Sequence, residues 1–288
     1  RWVHDFHEYV KGLDGLDDEI KELSLNEEKE SILHADRLTT VSPTLSAALK
    51  KDYKLNEEPT VLYNAPYRSN LNIDYDLTIR KKLNLPVNVD LGVYIGGISE
   101  FRGLHTLIEA MPLVPKLHIA LVTETKGKYM DSLVESAKEL GCYDRLHIMP
   151  YVDSTEITSF IQDATFGIHP MIRYGNAEVA LPNKLFDYIH AKIPVIVSNC
   201  TTMEQFVNKW KIGLVFEAEN EKELGNSIKK LLEEREKFTE NITDEILDTF
   251  SWENSEGLLK NMYLGMIRKL EGEVKSIENS FIEGNVND

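Results

Sequence analysis

The chain has 288 residues, of which 42% are hydrophobic and 28% are charged, a composition typical of soluble globular proteins. Asp and Glu number 48 against 32 Lys and Arg, so the formal net charge of -16 argues against nucleic acid or an anionic lipid surface as the main partner. The two cysteines, Cys142 and Cys200, are too few for a disulfide framework or a cysteine metal cluster. No apolar run approaches the roughly 20 residues that span a bilayer, and the first residues are not of signal-peptide type, so we predict a cytoplasmic protein.

The first 66 residues predict a small α/β segment. Ser42 and Pro43 have the residue types of a helix cap and a first turn, and they predict a helix that continues to Tyr53. So few elements bury little surface by themselves, and we expect this segment to be the remnant of a first domain whose front lies outside this sequence. Residues 67–88 predict a linker that leads into a second domain. The other elements predicted here are strands at 1–7, 37–41 and 60–64 and a helix at 27–35.

Residues 89–250 alternate short apolar strands with amphipathic helices. This alternation predicts right-handed βαβ crossovers and a doubly wound parallel sheet, in which ligands lie at the carboxyl ends of the strands. Ser251 then predicts the cap of a helix over 251–275 that packs across the domain junction, and 276–288 predict an acidic tail. The predicted helices of the second domain are 104–111, 128–140, 155–162, 183–191, 203–209 and 221–238.

Residues 181–198, reading LPNKLFDYIHAKIPVIVS, join a polar helix start to a buried strand. The first turn of a helix has unpaired amides and partial positive charge, which suit a phosphate. Lys184 adds a full charge, and Asp187 lies about one turn further on, where it can accept hydrogen bonds from sugar hydroxyls. The alternative is a surface helix that carries a Lys184–Asp187 pair. The candidate donor-binding residues of this stretch are Pro182, Asn183, Lys184, Leu185 and Asp187.

Several pieces of the sequence occur in an order that resembles the group 1, family-4-type glycosyltransferases of the GT-B fold. The resemblance extends over about residues 3–270 and implies two Rossmann-like domains, with the nucleotide sugar bound mainly by the second. It also implies that the front missing from the first domain is most of the acceptor domain. The matching pieces are DFHE, HADRLTTVSPTLSAAL, VLYNAP, YIGGISEFRGLHTLIEAM, DRLHIMPYV, LPNKLFDYIHAKIPVIVS and FSWE.

The resemblance implies that Asp187 takes the place of the second glutamate of the family's paired-glutamate motif, which binds the donor ribose. A carboxylate with two acceptor oxygens suits a vicinal diol. The first glutamate of that pair falls at Val179, which departs from the family pattern. Glu178 replaces it if the loop from Tyr174 to Leu181 differs by one residue, and the alternative is a solvated loop glutamate.

The resemblance also implies a phosphate clamp in the glycine-rich loop that follows the first strand of the second domain. The family's lysine falls at Arg102 and its arginine at Gly97. Arg102 can form two parallel bonds to a phosphate, and Gly96 and Gly97 let the backbone approach the ligand closely, while Lys184 supplies the missing charge. The alternatives are a surface arginine and a tight glycine turn.

Base recognition in the family falls near Tyr151 and Val152, where Tyr151 either stacks on the base or packs inside the protein. His7 and Glu8, at the end of the first strand, are predicted to face the cleft and to contact the acceptor or assist proton transfer. The alternative for His7 is a structural role, which is also our expectation for His169.

We therefore predict a hexosyltransferase that moves a sugar from a nucleotide diphosphate donor to a hydroxyl acceptor, with retention, as the resemblance implies, and without a metal or other cofactor. A UDP-sugar is the favoured donor, with GDP- and ADP-sugars as alternatives. The acceptor would be a carbohydrate or a lipid-linked molecule, as in polysaccharide biosynthesis, with any peripheral membrane contact made by the missing domain. We expect this chain alone to bind nucleotide but to transfer poorly. The other functions left open are a non-catalytic nucleotide-sugar-binding or scaffold protein and a sugar-nucleotide epimerase or hydrolase.

Overall fold

The computed structural model describes residues 1–72, 75–124 and 126–284, and within these residues the strands form a smaller and a larger sheet, both parallel. Positions 73–74 of the predicted linker and 285–288 of the predicted tail lie outside the described residues. The smaller sheet places β1 (Val3–Phe6), β2 (Arg37–Thr40) and β3 (Thr60–Val61) side by side in that order, with α1 (Asp18–His34) and α2 (Pro43–Tyr53) as the connecting helices.

The larger sheet consists, within the described residues, of β4 (Leu91–Ile95), β5 (His118–Val122), β6 (Leu146–Met149), β7 (Phe166–His169), β8 (Val195–Ser198) and β9 (Gly213–Phe216). Its spatial order is β6-β5-β4-β7-β8-β9, so the direction of winding reverses between β4 and β7. This confirms the predicted doubly wound sheet. The helices that alternate with these strands or follow them are α3 (Ile79–Leu83), α4 (Leu104–Ala110), α5 (Lys128–Glu139), α6 (Ile157–Ile161), α7 (Gly175–Val179), α8 (Asn183–His190), α9 (Thr201–Trp210), α10 (Glu221–Glu233), α11 (Arg235–Glu240) and α12 (Asp244–Thr249).

Two predicted caps are confirmed by hydrogen bonds at helix starts. The Ser42 hydroxyl accepts from the Leu45 amide at 3.1 Å at the start of α2. The Ser251 hydroxyl accepts from the Asn254 amide at 3.3 Å at the start of the last helix, α13 (Trp252–Gly284). Helix α13 continues beyond 275 into the segment predicted as a tail. Helix α1 starts well before the predicted residue 27, because the Asp17 carboxylate caps it by accepting from the Glu19 amide at 2.9 Å.

The segment 174–181, expected as a loop, contains the short helix α7. Its first residue, Gly175, lies against Gly12 of the N-terminal segment, where a Cβ on Gly175 would be 2.6 Å from the Gly12 carbonyl oxygen. The two backbones therefore touch, and neither position has room for a side chain. The predicted long helix at 221–238 was also wrong in detail, because the chain leaves helical conformation at Glu234, between α10 and α11.

The N-terminal segment and the rest of the chain are joined by hydrogen bonds near the junction. The Ser42 hydroxyl donates to the Val179 carbonyl at 2.6 Å, and the Ser255 hydroxyl of α13 donates to the Tyr63 carbonyl at 3.0 Å. The predicted linker contains α3, whose Ile79 is fully buried in the core of the larger sheet. None of the described helices has both the length and the apolar character that a membrane span requires.

Candidate functional site

Two adjoining cavities lie at the carboxyl ends of β4 and β7, where the strand order reverses. The larger, of about 510 Å³, opens between the larger sheet and the N-terminal segment, and the smaller, of about 190 Å³, lies beside the loop after β6. Gly96, Asn183 and Lys184 line both cavities, so a ligand that extends through both passes these three residues. Another cavity, of about 590 Å³, lies near Asp90 and Thr165 at the amino ends of β4 and β7, where such sheets do not bind ligands.

Lys184 is the cation that stands between the two cavities. Its Nζ donates to the Tyr94 hydroxyl at 3.0 Å and lies 4.1 Å from the centroid of the Tyr94 ring. The Tyr94 hydroxyl donates in turn to the Gly97 carbonyl at 2.6 Å. Burial, and after it the charge of Arg102, lowers the pKa of Lys184 well below its usual range, while Asp187 acts in the opposite direction. An anion bound beside Lys184 would favour its charged form.

The loop after β4 brings backbone and a second cation to the same place. Gly96 has a φ of 105°, a conformation that L side chains rarely adopt, and a Cβ there would lie 3.5 Å from the Lys184 Nζ. Gly97 is exposed beside it. Arg102 is half-buried and lines the larger cavity, and within the described residues it has no carboxylate partner at ion-pair distance. The loop therefore offers an unpaired guanidinium and an accessible backbone to an anion.

The amino end of α8 points into the shared part of the cavities. Pro182 is the residue before the helix, which starts at the predicted Asn183. In the described part of the chain the backbone amides of Asn183 and Lys184 have no acceptor, as expected at a helix start. The Leu185 amide, in contrast, donates to the Pro182 carbonyl at 3.0 Å, and the Leu185 side chain is fully buried. Leu185 thus has no free group for a ligand.

Asp187 lies one turn further along α8, at the wall of the smaller cavity. Burial raises the pKa of its carboxyl to about 7, against the opposing effects of the neighbouring Thr158 hydroxyl and the charge of Lys184. The Thr158 hydroxyl itself is buried and falls short of hydrogen-bond geometry with any described partner. The smaller cavity therefore contains a carboxyl that lacks strong partners and can accept hydrogen bonds from a ligand.

Tyr151 and Val152 line the smaller cavity. Tyr151 is 55% exposed, so it does not pack inside the protein. Its ring is available to stack on a planar group at the mouth of the cavity. Val152 is half-buried and packs against the core of the larger sheet, where it forms part of the apolar floor.

His7 and Glu8 line the larger cavity on the side of the N-terminal segment. The Nε2 of His7 lies 2.7 Å from Asp5 Oδ2, and both side chains are exposed. The Asn176 amide group donates to the Glu8 carboxylate, and its Oδ1 accepts from the Tyr9 amide at 2.9 Å. Asn176, on α7, thus holds Glu8 at the cavity from the opposite side of the junction.

Glu178 is not among the residues that line either cavity, and its assignment as a replacement for the carboxylate expected at Val179 stays a prediction. One of its oxygens accepts from Arg173 Nε at 2.6 Å, and the other accepts from the amide and the hydroxyl of Thr201 at 2.9 and 2.6 Å. Burial raises the pKa of this carboxyl, but these hydrogen bonds outweigh burial and leave the pKa below its usual range. Glu178 therefore caps the start of α9, and Val179 is the residue at the cavity wall.

Sequence reasoning missed Tyr94 and Asn176. Tyr94 lies inside an apolar strand and reads as a core residue, and Asn176 lies in a segment that reads as a loop.

His169 is fully buried and stacks on Tyr94 with a centroid distance of 5.9 Å, and its ring nitrogens have no partner within the described residues. Burial lowers the pKa of His169 well below its usual range, which favours the neutral ring. No group of three or more His, Cys, Asp or Glu among the described residues is arranged to hold a metal ion.

Comparison with known families assigns the chain that carries this site to a family. The family model described as "Glycosyl transferases group 1" matches residues 76–245, which is more than half of the chain. The chain belongs to this family. The matched range contains every predicted donor contact from Gly96 to Asp187, whereas His7 and Glu8 precede it.

Individual proteins are also similar to this chain in sequence or in fold. A glycosyltransferase of Methanocaldococcus jannaschii, described as uncharacterized, is 21% identical over 236 residues, and the chain spans 59% of that curated relative's length. Sucrose-phosphate synthase from Thermosynechococcus elongatus superposes with a TM-score of 0.77 at 20% identity, covering 93% of this chain and 68% of that one. Anabaena HepE in complex with UDP-glucose superposes with a TM-score of 0.75 at 16% identity, covering 91% and 72%. These matches show that this group 1 member has the GT-B fold.

Proposed function

We propose that this chain is the donor-binding part of a glycosyltransferase that transfers a hexosyl unit from a nucleoside diphosphate sugar, preferentially a UDP-sugar, to a hydroxyl acceptor. The observation that carries the proposal is the convergence of positive groups on the shared part of the two cavities. Lys184 and the free amides of Asn183 and Lys184 face it, and Arg102 lines the larger cavity close enough for its charge to act on Lys184. A diphosphate placed there would meet two cations and a helix amino end.

The nucleoside end of the donor fits the smaller cavity. Asp187 would accept hydrogen bonds from the two ribose hydroxyls, and Tyr151 would stack on the base. HepE, at 16% identity, has been solved with UDP-glucose, which supports UDP as the first nucleotide to test. The sugar then extends past Lys184 into the larger cavity.

Transfer with retention would take place at the sugar carbon next to the diphosphate. The bond from that carbon to the phosphate oxygen breaks, the acceptor oxygen bonds to the carbon from the same face, and the acceptor proton passes to the departing phosphate. Lys184, Arg102 and the α8 amides would stabilise the negative charge that develops on the leaving group, so a metal ion is not required for that role. His7 and Glu8, at the N-terminal side of the larger cavity, would contact the incoming carbohydrate or lipid-linked acceptor.

Calorimetric titration with UDP, GDP and ADP, with magnesium and with chelator, tests the donor site directly. We expect one nucleotide to bind in chelator and Lys184→Met to weaken it at least about tenfold, because a charge-assisted contact to phosphate is lost. Lys222→Met, at an exposed position of α10, is the matched control and should bind like the parent. Absence of binding to all three nucleotides by the folded chain would refute the proposal. Binding without transfer by the complete protein would instead favour the non-catalytic alternative.

A further inference from the structure

The larger cavity has a part that the diphosphate does not use. On the proposed function, on which this inference rests, the nucleoside occupies the smaller cavity and the diphosphate lies at Gly96, Asn183 and Lys184. The donor sugar must then lie in the larger cavity, between these residues and the N-terminal segment. The chemistry of that part of the lining therefore bears on the identity of the sugar.

One wall of this part is built from Val41, Leu45 and Val179, which we call the aliphatic wall. Leu45 and Val179 are 1% and 7% exposed, and they pack together in one apolar cluster. Val41 is packed against the same cluster. The wall is held in place because the Ser42 hydroxyl donates to the Val179 carbonyl at 2.6 Å and also caps α2. The wall is therefore a fixed surface that joins the two parts of the chain.

Two polar side chains next to the aliphatic wall in sequence, Ser42 and Asn176, are already engaged. Asn176 uses both ends of its amide on Glu8 and the Tyr9 backbone, and the Ser42 hydroxyl is bonded to Val179. A sugar hydroxyl packed directly against the aliphatic side chains of this wall would lose its water partners and receive no hydrogen bond from those side chains, which is unfavourable. A methyl group turned the same way would gain contact with buried aliphatic carbon.

We propose that the donor sugar carries a methyl group that packs on the aliphatic wall, as an N-acetyl sugar or a 6-deoxy sugar does. The three side chains of the wall, Val41, Leu45 and Val179, act as the specificity determinants for that substituent. Hydroxyls on the other faces of the sugar remain free to reach Glu8 and Arg102, which line the same cavity.

The test is a calorimetric comparison of UDP, UDP-glucose, UDP-N-acetylglucosamine and UDP-6-deoxyglucose on the same chain. We expect one of the two methyl-bearing donors to bind about three- to tenfold more tightly than UDP-glucose, in proportion to the apolar area that a methyl group buries. Whichever donor shows the gain identifies the source of the methyl group. Val179→Thr puts a hydroxyl on the wall at nearly the same volume. In this variant the ratio of the affinity for the methyl-bearing donor to that for UDP-glucose should fall to about one. Val41→Thr, at a less buried position, gives the same readout if Val179→Thr does not fold.

The outcomes separate this inference from the proposed function. If UDP binds and the three sugars bind equally, or UDP-glucose binds most tightly, the inference is overturned while the donor site stands. If the ratio persists in both threonine variants, the wall is not the determinant and the inference is likewise overturned. If the folded chain does not bind UDP or any UDP-sugar, the UDP-sugar donor itself is refuted, and this inference with it.

Discussion

Replacement of Asp187 by Asn should make the folded chain more stable and, at the same time, weaken nucleotide binding. Asp187 lies at the wall of the smaller cavity, where burial raises the pKa of its carboxyl from 3.8 to about 7. Asparagine has the same shape without the ionisable proton. The substitution therefore removes both the buried charge that opposes folding and the second acceptor oxygen that a ribose diol needs.

The stability effect follows from the direction of the pKa shift. A carboxyl whose pKa is higher in the folded than in the unfolded state binds its proton more tightly when folded. The free energy of unfolding then falls as pH rises between the unfolded and the folded pKa values, and it stays low above the folded value. One pKa unit corresponds to about 1.4 kcal/mol, so Asp187 lowers the free energy of unfolding by about 2 kcal/mol between about pH 5.5 and pH 7. In the Asn variant, the free energy of unfolding should not show this decrease as pH rises.

The binding effect has the opposite sign. We expect Asp187→Asn to weaken UDP about 10- to 100-fold at about pH 8, because charge-assisted hydrogen bonds to the ribose are lost. Nucleotide affinity of the parent should rise with pH up to about 7 and then level off, since only the ionised carboxyl accepts from both hydroxyls. In the variant this pH dependence should disappear.

Urea unfolding followed by tryptophan fluorescence, at several pH values above the sequence pI of about 5.0, measures the first effect, and calorimetry with UDP measures the second. Asp131→Asn, at an exposed position of α5 away from both cavities, is the matched control. A stability difference between Asp187→Asn and the parent that does not change with pH would refute the burial argument. Unchanged UDP affinity in the variant would show that Asp187 does not bind the ribose.

Three further predictions concern the proposed diphosphate site, at Lys184 and Gly96, and Glu178. Since burial lowers the pKa of Lys184 in the free protein, UDP binding should take up protons, and the calorimetric heat should vary with the ionisation enthalpy of the buffer, an effect that Lys184→Met should remove. Gly96→Ala should lower the free energy of unfolding by about 1–2 kcal/mol, because of backbone strain at a φ of 105°, and should weaken UDP binding. Gly257→Ala, at a position of α13 with open space around it, is the control and should be neutral or stabilising. Equal urea midpoints for the two variants would contradict this prediction. Glu178→Gln should lower the free energy of unfolding by about 1–3 kcal/mol and leave UDP affinity within about twofold of the parent, and a large loss of affinity would support Glu178 as a ligand contact.

Local patterns predicted several elements of the fold correctly. The alternation of apolar strands with amphipathic helices predicted the doubly wound sheet, and Ser42 and Ser251 marked two helix starts. These succeed because caps and hydrophobic periodicity act over a few residues of adjacent chain. The start of α1 was missed because its first half presents few buried side chains, so the apolar pattern there is weak.

Contacts between side chains that are distant in sequence could not be predicted from short sequence patterns. Glu178 and Val179 are neighbours, yet one caps α9 and the other faces the cavity, because the short helix α7 turns them in different directions. Asn176 reaches Glu8 across 168 positions of sequence, and Tyr94 reaches Lys184 across 90. No pattern in a single sequence encodes such pairings.

The sequence by itself determined the alternation of strands and helices, the glycine-rich loop after β4, and the lysine and carboxylate one turn apart on α8. Only the tertiary structure decided which of these groups share a cavity, which carboxyl is buried without strong partners, and that Val41, Leu45 and Val179 form an aliphatic wall. The physical reason is that secondary structure depends on interactions within a few residues. A binding site depends on the packing of a doubly wound sheet, which brings the ends of distant strands to one edge.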